Sequence, residues 1–152
     1  MKMLRAAAAL SCAVALALSG CGTPPDAGSV EITWFQEQGD PVGEGALPGG
    51  ATLIPDQDSW TEWVADLPAD MREAKAAELD SFSLEDSVAV VTVWGRCTET
   101  SHLYEDGNGT LVFEIIEDEP ATNCVWSPRR VEVWDVPLDT LGVARDEVKL
   151  AG

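Results

Sequence analysis

The stretch SVAVVTVW, from Ser87 to Trp94, decides the fold of this 152-residue chain. It is rich in β-branched apolar residues, which fit the pleated surface of a strand. A strand with one solvated face would alternate apolar and polar residues, whereas this run is apolar at nearly every position. The pattern is typical of a central strand that is buried on both faces, and we expect the rest of the sheet to form around it.

Downstream of this strand the sequence predicts a β-hairpin. Ser101–Tyr104 and Thr110–Ile116 are separated by the turn sequence EDGNG, residues 105–109. Asn-Gly between apolar runs is a strong hairpin signal because both residues tolerate a positive φ angle. Alternation along the second strand predicts that three side chains face the core: Leu111, Phe113 and Ile115.

Three further strands complete the predicted sheet. The first is Val30–Gln36, whose residues alternate between two faces. One of those faces is expected to hold Val30, Ile32 and Trp34. The second is Val131–Val136, which ends at Pro137 because proline has no N–H to donate to a neighbouring strand. A short edge strand is expected at 147–150.

The helix signal is clearest after Ser59. Ser59 and Glu62 have the spacing of a capping box, in which each side chain satisfies a backbone N–H of the first turn. An apolar stripe at helical spacing follows, formed by Trp60, Trp63, Val64 and Leu67. Pro68 is expected to end or kink this helix, and residues 69–79 predict a second helix or a continuation. We therefore expect an α+β fold, with an antiparallel sheet of about five or six strands, one or two helices packed on one face, and one disulfide.

The N-terminus has the organisation of an export signal. Lys2 and Arg5 precede an apolar run, residues 6–18, that is shorter than the roughly 20 residues needed to span a bilayer. The run ends in Leu18-Ser19-Gly20-Cys21, which resembles the lipobox of bacterial lipoproteins. The resemblance implies cleavage after Gly20 and a diacylglyceryl group on Cys21. We divide the chain accordingly into a signal peptide (1–20), a lipidated tether (21–29) and one globular domain (30–152).

The charge of the chain restricts its partners. The formal net charge is −18, and residues 1–20 hold two cations and no acid, so the remaining chain is more acidic still. Nucleic acid is not an expected partner because phosphate binding depends on clustered Lys and Arg. Anionic lipid headgroups repel acidic segments as well. The expected membrane contact is therefore the lipid on Cys21, at the extracytoplasmic face of the cell membrane.

The four cysteines divide by position. Cys12 lies in the signal peptide and Cys21 carries the lipid, which leaves Cys97 and Cys124 as a pair in an oxidising compartment. We predict a disulfide between them, worth about 3 to 4 kcal/mol in the chain-entropy description. The competing interpretation is a metal site, but two cysteines and the single His102 fall short of four tetrahedral ligands. No metal and no cofactor is predicted.

Three of the six tryptophans are explained by the helix stripe and the central strand, and three are candidates for binding: Trp34, Trp126 and Trp134. Trp134 shares its strand face with Arg130 and Glu132, and from this we expect it to be partly exposed. An exposed Trp beside charged groups can stack on a sugar ring or anchor a protein interface. The alternative is a Trp that covers one edge of the core.

Arg130 is the fourth candidate binding residue. With Arg129 it forms the only pair of adjacent cations in an acidic chain. Two guanidinium groups can hold a carboxylate or a phosphate. The alternative is that the pair offsets nearby acidic residues on the same sheet.

The globular domain faintly resembles small bacterial domains described as protease-complex subunits. The resemblance lies in the segment DSFS, residues 80–83, in the valine strand 88–93, and in a final strand before a proline, residues 133–137. The glycine and aromatic signature expected after the first strand is replaced by the residues GRCT, at 95–98. No functional residue is carried over from this resemblance.

No catalytic motif is evident in the sequence. His102 is the only histidine, and we expect it to face solvent or to be hydrogen-bonded; the chain lacks a Gly-x-Ser-x-Gly elbow, a P-loop and a His-Glu-x-x-His motif. The hypothesis is therefore a non-enzymatic binding or accessory module of the cell envelope, whose partner is another envelope protein or wall glycan. The alternative is a cell-wall glycan hydrolase that uses paired carboxylates. With 27 acidic residues in the chain, the sequence does not single out such a pair.

Overall fold

The computed structural model describes residues 23–36, 42, 47–117 and 127–152. Within these residues the chain forms strands and helices, and Arg145–Glu147 forms a 3-10 turn. The strands are β1 (Ser29–Phe35), β2 (Gly50–Ile54), β3 (Ser87–Gly95), β4 (Glu99–Glu105), β5 (Thr110–Glu117), β6 (Arg129–Pro137) and β7 (Lys149–Leu150). The helices are α1 (Gln57–Asp66), α2 (Ala69–Ala74), α3 (Ala76–Ser81) and α4 (Leu138–Leu141).

The strands belong to two sheets. The larger sheet has the order β1-β6-β3-β2, and all of its neighbours are antiparallel. The smaller sheet has the order β4-β5-β7, in which β4 and β5 form the predicted hairpin and β7 pairs in parallel with β5. The α+β class is confirmed, but the single sheet of five or six strands is wrong, because the hairpin after β3 forms a separate sheet.

Strand β3 separates two hydrophobic cores. Ala89, Val91 and Val93 pack with the helices in what we term the helix-side core. Val88 and Val90 point the other way, into an inter-sheet core shared with the smaller sheet. All residues of β3 except the last are buried. The prediction of a central strand buried on both faces is therefore confirmed.

Helix α1 presents the predicted apolar stripe to the helix-side core. Trp60 is buried, and Trp63 stacks on it with ring centroids 5.1 Å apart. The predicted capping box is wrong: the helix begins earlier, and its N-cap is Asp56, whose Oδ1 accepts a hydrogen bond from the backbone N–H of Ser59 at 2.8 Å. Asp and Ser are about equally favourable as N-cap residues, so the residue type does not distinguish the two positions. The helix ends before Pro68, as expected.

Two predictions about strand faces need correction. Val30 packs against the inter-sheet core whereas Ile32 belongs to the helix-side core, because the register of β1 shifts between these residues. A bulge of this kind inserts one residue and reverses the alternation. Ile115 is 47% exposed instead of core-facing. Leu111 is buried and Phe113 is partly buried against the inter-sheet core, so the apolar contact fades towards the end of β5.

The C-terminal part of the predicted tether is packed against the domain. The backbone N–H of Ala27 donates to the carbonyl of Leu103 at 2.7 Å, and Oδ1 of Asp26 accepts from the N–H of Leu103 at 3.1 Å. Gly28 passes so close to β6 that an added Cβ would lie 2.0 Å from the carbonyl oxygen of Asp135. Residues 26–29, which the sequence analysis assigned to the tether, are therefore part of the folded unit.

Several predictions concern residues outside the described ranges. Cys21, Cys124 and Trp126 are among them. Cys97, in the turn after β3, is disulfide-bonded, but its pairing with Cys124 stays a prediction. Among the described residues, no helix is long and apolar enough to cross a membrane.

A candidate binding cleft between the two sheets

A cleft of about 250 Å³ opens between the larger and the smaller sheet. We call it the inter-sheet cleft. It is lined by Val30, Trp94, Arg96, Glu99, Thr100, Ser101, Arg130, Glu132 and Trp134. These residues come from β1, β3, β4, β6 and the turn that follows β3, so that the cleft exists only when the two sheets are packed together.

Alternation along two neighbouring strands places the central residues of the cleft. Thr92 and Trp94 point to the same side of β3 as Val90, since side chains two residues apart share a face. On β6, Glu132 is the register partner of Thr92, and Arg130 is the partner of Trp94. The face is apolar at the beginning of β3 and becomes polar and aromatic near its end.

Glu132 forms the floor of the cleft and is only 1% exposed. Its Oε1 lies 2.6 Å from Nε of Arg130, and its Oε2 accepts a hydrogen bond from the indole N–H of Trp94 at 3.1 Å. Thr92 also donates to Oε2, at 3.4 Å, and accepts from the indole N–H of Trp134 at 3.3 Å. Both carboxylate oxygens of Glu132 are thus occupied by neighbouring side chains.

A buried ion pair of this kind is weak evidence for a stabilising role. The cost of removing two charges from water is comparable to their mutual attraction, so that apolar residues of similar size often give equal or greater stability. Stability alone therefore does not explain the three side chains that contact Glu132, which are Arg130, Trp94 and Thr92. A polar floor with fixed hydrogen bonds orients the groups above it.

Two arginines of the cleft lie close to the aromatic ring of Phe35. The guanidinium carbon of Arg96 lies 5.6 Å from the ring centroid of Phe35, and that of Arg130 lies 5.8 Å from the same centroid. Arg130 also lies 5.9 Å from the Trp94 ring. These distances are within the range of cation–π attraction, which holds both guanidinium groups near the ring faces.

The guanidinium groups retain unused donors. No side-chain hydrogen bond joins Arg96 to any residue that the structure describes. Nε of Arg130 is close to Glu132, but the contact lacks hydrogen-bond geometry. Since a guanidinium carries five N–H donors, most donors of both groups have no acceptor among the described residues.

Glu99 lies at the rim of the cleft and is ionised at neutral pH. Its carboxylate accepts from the backbone N–H of Cys97 at 2.5 Å. Hydrogen bonds from the backbone amides of Cys97 and Glu99 lower the pKa of this carboxyl below its usual value of 4.5, because they favour the charged form. Glu99 is therefore directed at the turn after β3.

Of the four predicted binding residues, the structure brings Arg130 and Trp134 together in the cleft. The expected exposure of Trp134 is wrong: it is 3% exposed because the smaller sheet covers that face of β6. Trp34 lies on the opposite side of the larger sheet, fully buried, with its indole N–H donating to the carbonyl of Met71 at 2.9 Å. Trp126 lies outside the described ranges.

Sequence analysis missed Arg96, Phe35 and Trp94 as members of the site. Arg96 follows the central strand directly and comes opposite the Arg129–Arg130 pair through the register of β3 and β6, in which Gly95 faces Arg129. Antiparallel pairing of these strands would have placed the three arginines at one end of the sheet. The pairing itself was not specified by the sequence pattern.

His102 is hydrogen-bonded, which is one of the two arrangements that the sequence predicts for it. Its Nδ1 lies 2.5 Å from Oδ1 of Asp26, and its ring stacks on Tyr104 with centroids 5.2 Å apart. Its Nε2 is buried without a hydrogen-bond partner among the described residues. The contact ties the segment that precedes β1 to the smaller sheet and is separate from the cleft.

In the described part of the chain, no group of three or more His, Cys, Asp and Glu residues is placed to hold a metal ion. Comparison of the chain with protein-family models, with curated proteins and with solved structures gives no match. The function is therefore argued from the geometry of the chain itself.

Proposed function

We propose that this protein is a lipid-anchored binding module of the cell envelope that holds an envelope component in the inter-sheet cleft without catalysing a reaction on it. The observation that carries the proposal is the Arg130–Glu132 ion pair buried beneath an open cleft. The domain places charged and aromatic groups where apolar ones would pack as well. Binding gives a reason for this arrangement that stability does not.

The anchor in this proposal is the diacylglyceryl group on Cys21, which follows from the lipobox Leu18-Ser19-Gly20-Cys21. Two acyl chains suffice for stable membrane attachment. Because Asp26 is hydrogen-bonded to β4, only five Cα–Cα steps separate the anchor from the folded unit, a reach of at most about 18 Å. The domain would then work close to the outer face of the cell membrane. Cys21→Ser should release the protein into the medium, and retention of this variant by the membrane would contradict the anchor.

The alternative of a glycan hydrolase has less support in the cleft. A glycosidase needs one carboxylic acid with a raised pKa to protonate the leaving group. The two carboxyl groups that line the cleft are Glu99, whose pKa is lowered, and Glu132, whose two oxygens are engaged by Arg130 and Trp94. Neither is arranged as a proton donor.

The proposal is tested by filling the cleft and measuring partner capture. Thr100 is exposed and lines the cleft, so Thr100→Trp should obstruct it without disturbing either core. Thr52→Trp is the matched control, because Thr52 is an exposed strand threonine that does not line the cleft. Both full-length variants are crosslinked in cells, extracted in detergent and captured, and the partner yield is compared with that of the unaltered protein.

We expect Thr100→Trp to lose the crosslinked partner and Thr52→Trp to keep it, with equal thermal unfolding temperatures. Undiminished capture by Thr100→Trp would show that the cleft does not hold the partner. Turnover of purified wall glycan by the unaltered protein, abolished in Glu132→Gln, would favour the hydrolase instead.

A further inference from the structure

We infer that the inter-sheet cleft recognises a ligand that carries a carboxylate or a phosphate group next to a ring or another compact apolar part. The inference rests on the proposed function, because it names the chemical class of what the cleft binds. It is carried by the two guanidinium groups of Arg96 and Arg130, the aromatic ring of Phe35 close to both of them, and the fixed position of the neighbouring carboxylates.

Arg96 supplies the principal donor. It lines the cleft, its guanidinium lies over Phe35 at 5.6 Å, and no described residue accepts a hydrogen bond from it. A planar guanidinium matches two oxygens of a carboxylate or a phosphate with parallel hydrogen bonds. Its backbone N–H is bonded to the carbonyl of Pro128 at 2.9 Å, so the residue projects from an ordered turn.

Arg130 supplies the second donor group, close to the same ring. The ring of Phe35 and that of Trp94 hold its guanidinium at 5.8 and 5.9 Å. Its Nε is beside Glu132, whereas its remaining N–H groups have no acceptor among the described residues. The two guanidinium groups therefore lie near one ring and line one cleft.

The carboxylates of the cleft do not compete for an anion's place. Glu132 is buried beneath the floor and engaged through both oxygens, and the carboxylate of Glu99 accepts from the Cys97 amide. The rest of the chain is strongly acidic, with a formal net charge of −18, and repels anions at long range. An anion is retained only if it also makes short-range contacts.

Apolar surface for those contacts lies beside the arginines. Val30, Phe35 and Trp94 present aliphatic and aromatic groups there. Ile115, 47% exposed, is the register partner of Ser101, which lines the cleft, and partners directly opposite each other have neighbouring side chains. The volume of about 250 Å³ is below the roughly 300 to 1,000 Å³ of drug-sized sites, so one ring with its acidic group fills it.

The test uses the full-length lipoprotein in detergent and follows the indole N–H resonance of Trp94, assigned with Trp94→Phe. The probes are benzoate, phenyl phosphate, inorganic phosphate and the uncharged benzyl alcohol. Benzoate and phenyl phosphate distinguish a carboxylate ligand from a phosphate ligand, and inorganic phosphate tests the need for the ring. We expect a saturable shift with at least one of the aromatic anions and a dissociation constant at least about tenfold weaker for benzyl alcohol, since hydrogen bonds to charged groups contribute that much.

Variants locate the anion. Arg96→Gln should weaken binding of the aromatic anion by at least about tenfold, and Arg130→Lys, which keeps a charge beside Glu132, should weaken it less. Arg72→Gln is the matched control, because Arg72 donates to the carbonyl of Ala65 and does not line the cleft. Equal affinity for benzyl alcohol and benzoate, an unchanged affinity in Arg96→Gln, or no shift with any probe would overturn the inference.

These outcomes are separable from the test of the proposed function. If Thr100→Trp abolishes partner capture and no anion shifts Trp94, the ligand class is wrong and the cleft remains the binding site. If aromatic anions bind through Arg96 but Thr100→Trp captures its partner undiminished, the proposed function is wrong.

Discussion

The strand pair β3–β6 has two faces that differ in composition. The helix-side face is mainly aliphatic, with Ala89, Val91 and Val133 among its residues and Asp135 at one end, under a layer of helices. The inter-sheet face begins apolar at Val88 and Val136 and ends in the polar group around Glu132. One face of this strand pair therefore belongs to the hydrophobic core, whereas part of the other face lines the candidate site. Substitutions on the two faces should have different consequences.

The helix-side face should be the more sensitive to loss of volume. Trp34 is fully buried there, contacts Trp63 edge to face at 6.4 Å, and donates to the carbonyl of Met71. Trp34→Ala leaves a cavity and an unpaired carbonyl, and should lower the free energy of unfolding by about 3 to 5 kcal/mol. Urea unfolding followed by far-UV circular dichroism measures this. Trp34→Phe, which keeps most of the volume, should cost less, and equal losses in both variants would contradict the packing argument.

The predicted disulfide would constrain the turn after β3, next to the inter-sheet cleft. Loss of a Cys97–Cys124 bond in Cys124→Ser should cost about 3 to 4 kcal/mol, because the unfolded chain gains the entropy of an open loop. A thiol titration of the denatured mature protein should find no free thiol in the unaltered chain and one in Cys124→Ser. Two free thiols in the unaltered chain would show that the pair is not bonded.

Substitutions in the Arg130–Glu132 ion pair test whether the charges of the inter-sheet face are needed for stability. Arg130→Met leaves the carboxylate of Glu132 buried without its cation and should cost about 2 to 4 kcal/mol. The double variant with Glu132→Gln keeps an acceptor for the Trp94 indole N–H and removes both charges. It should recover most of the lost stability while binding aromatic anions no better than the single variant. A double variant as unstable as Arg130→Met would show that the charges are needed for the fold.

The sequence predicts much of the local structure because local patterns determine it. The spacing of apolar and turn residues within a single segment predicts the continuous burial of β3, the apolar stripe on α1 and the hairpin at 105–109. The separation into two sheets could not be predicted, since alternation tells which side chains share a face but not what covers that face. This is why Trp134 was correctly grouped with Arg130 and wrongly expected to be exposed.

The candidate site was predicted only in part for the same reason. Arg130 and Trp134 are four residues apart on β6. Alternation along the strand therefore predicts from the sequence that they share a face. Arg96 reaches them through the pairing of β3 with β6, and Phe35 through the pairing of β1 with β6. Contacts between distant segments depend on strand order and register, and here a bulge in β1 also moved Val30 to the side of the cleft.

The smallest expected effect on stability concerns Glu99, at the rim of the inter-sheet cleft. The backbone amides of Cys97 and Glu99 lower the pKa of the Glu99 carboxyl in the folded state, so its ionisation stabilises the fold at pH values above the unfolded value of 4.5. That contribution is lost as the pH falls through the lowered pKa. Glu99→Gln should therefore be slightly less stable than the unaltered protein at pH 7, and the two should converge in acid.

Urea unfolding of both proteins between pH 7 and pH 3 measures this difference. Glu62→Gln is the control, because Glu62 is an exposed residue of α1 that does not line the cleft, and its carboxylate accepts no hydrogen bond from a described residue. A difference for Glu99→Gln that stays constant with pH would mean that the side chain acts through packing and not through its charge. A difference that disappears in acid would show that the turn carrying Arg96 is held in part by an ionised carboxylate, which links the order of the cleft to the charge at its rim.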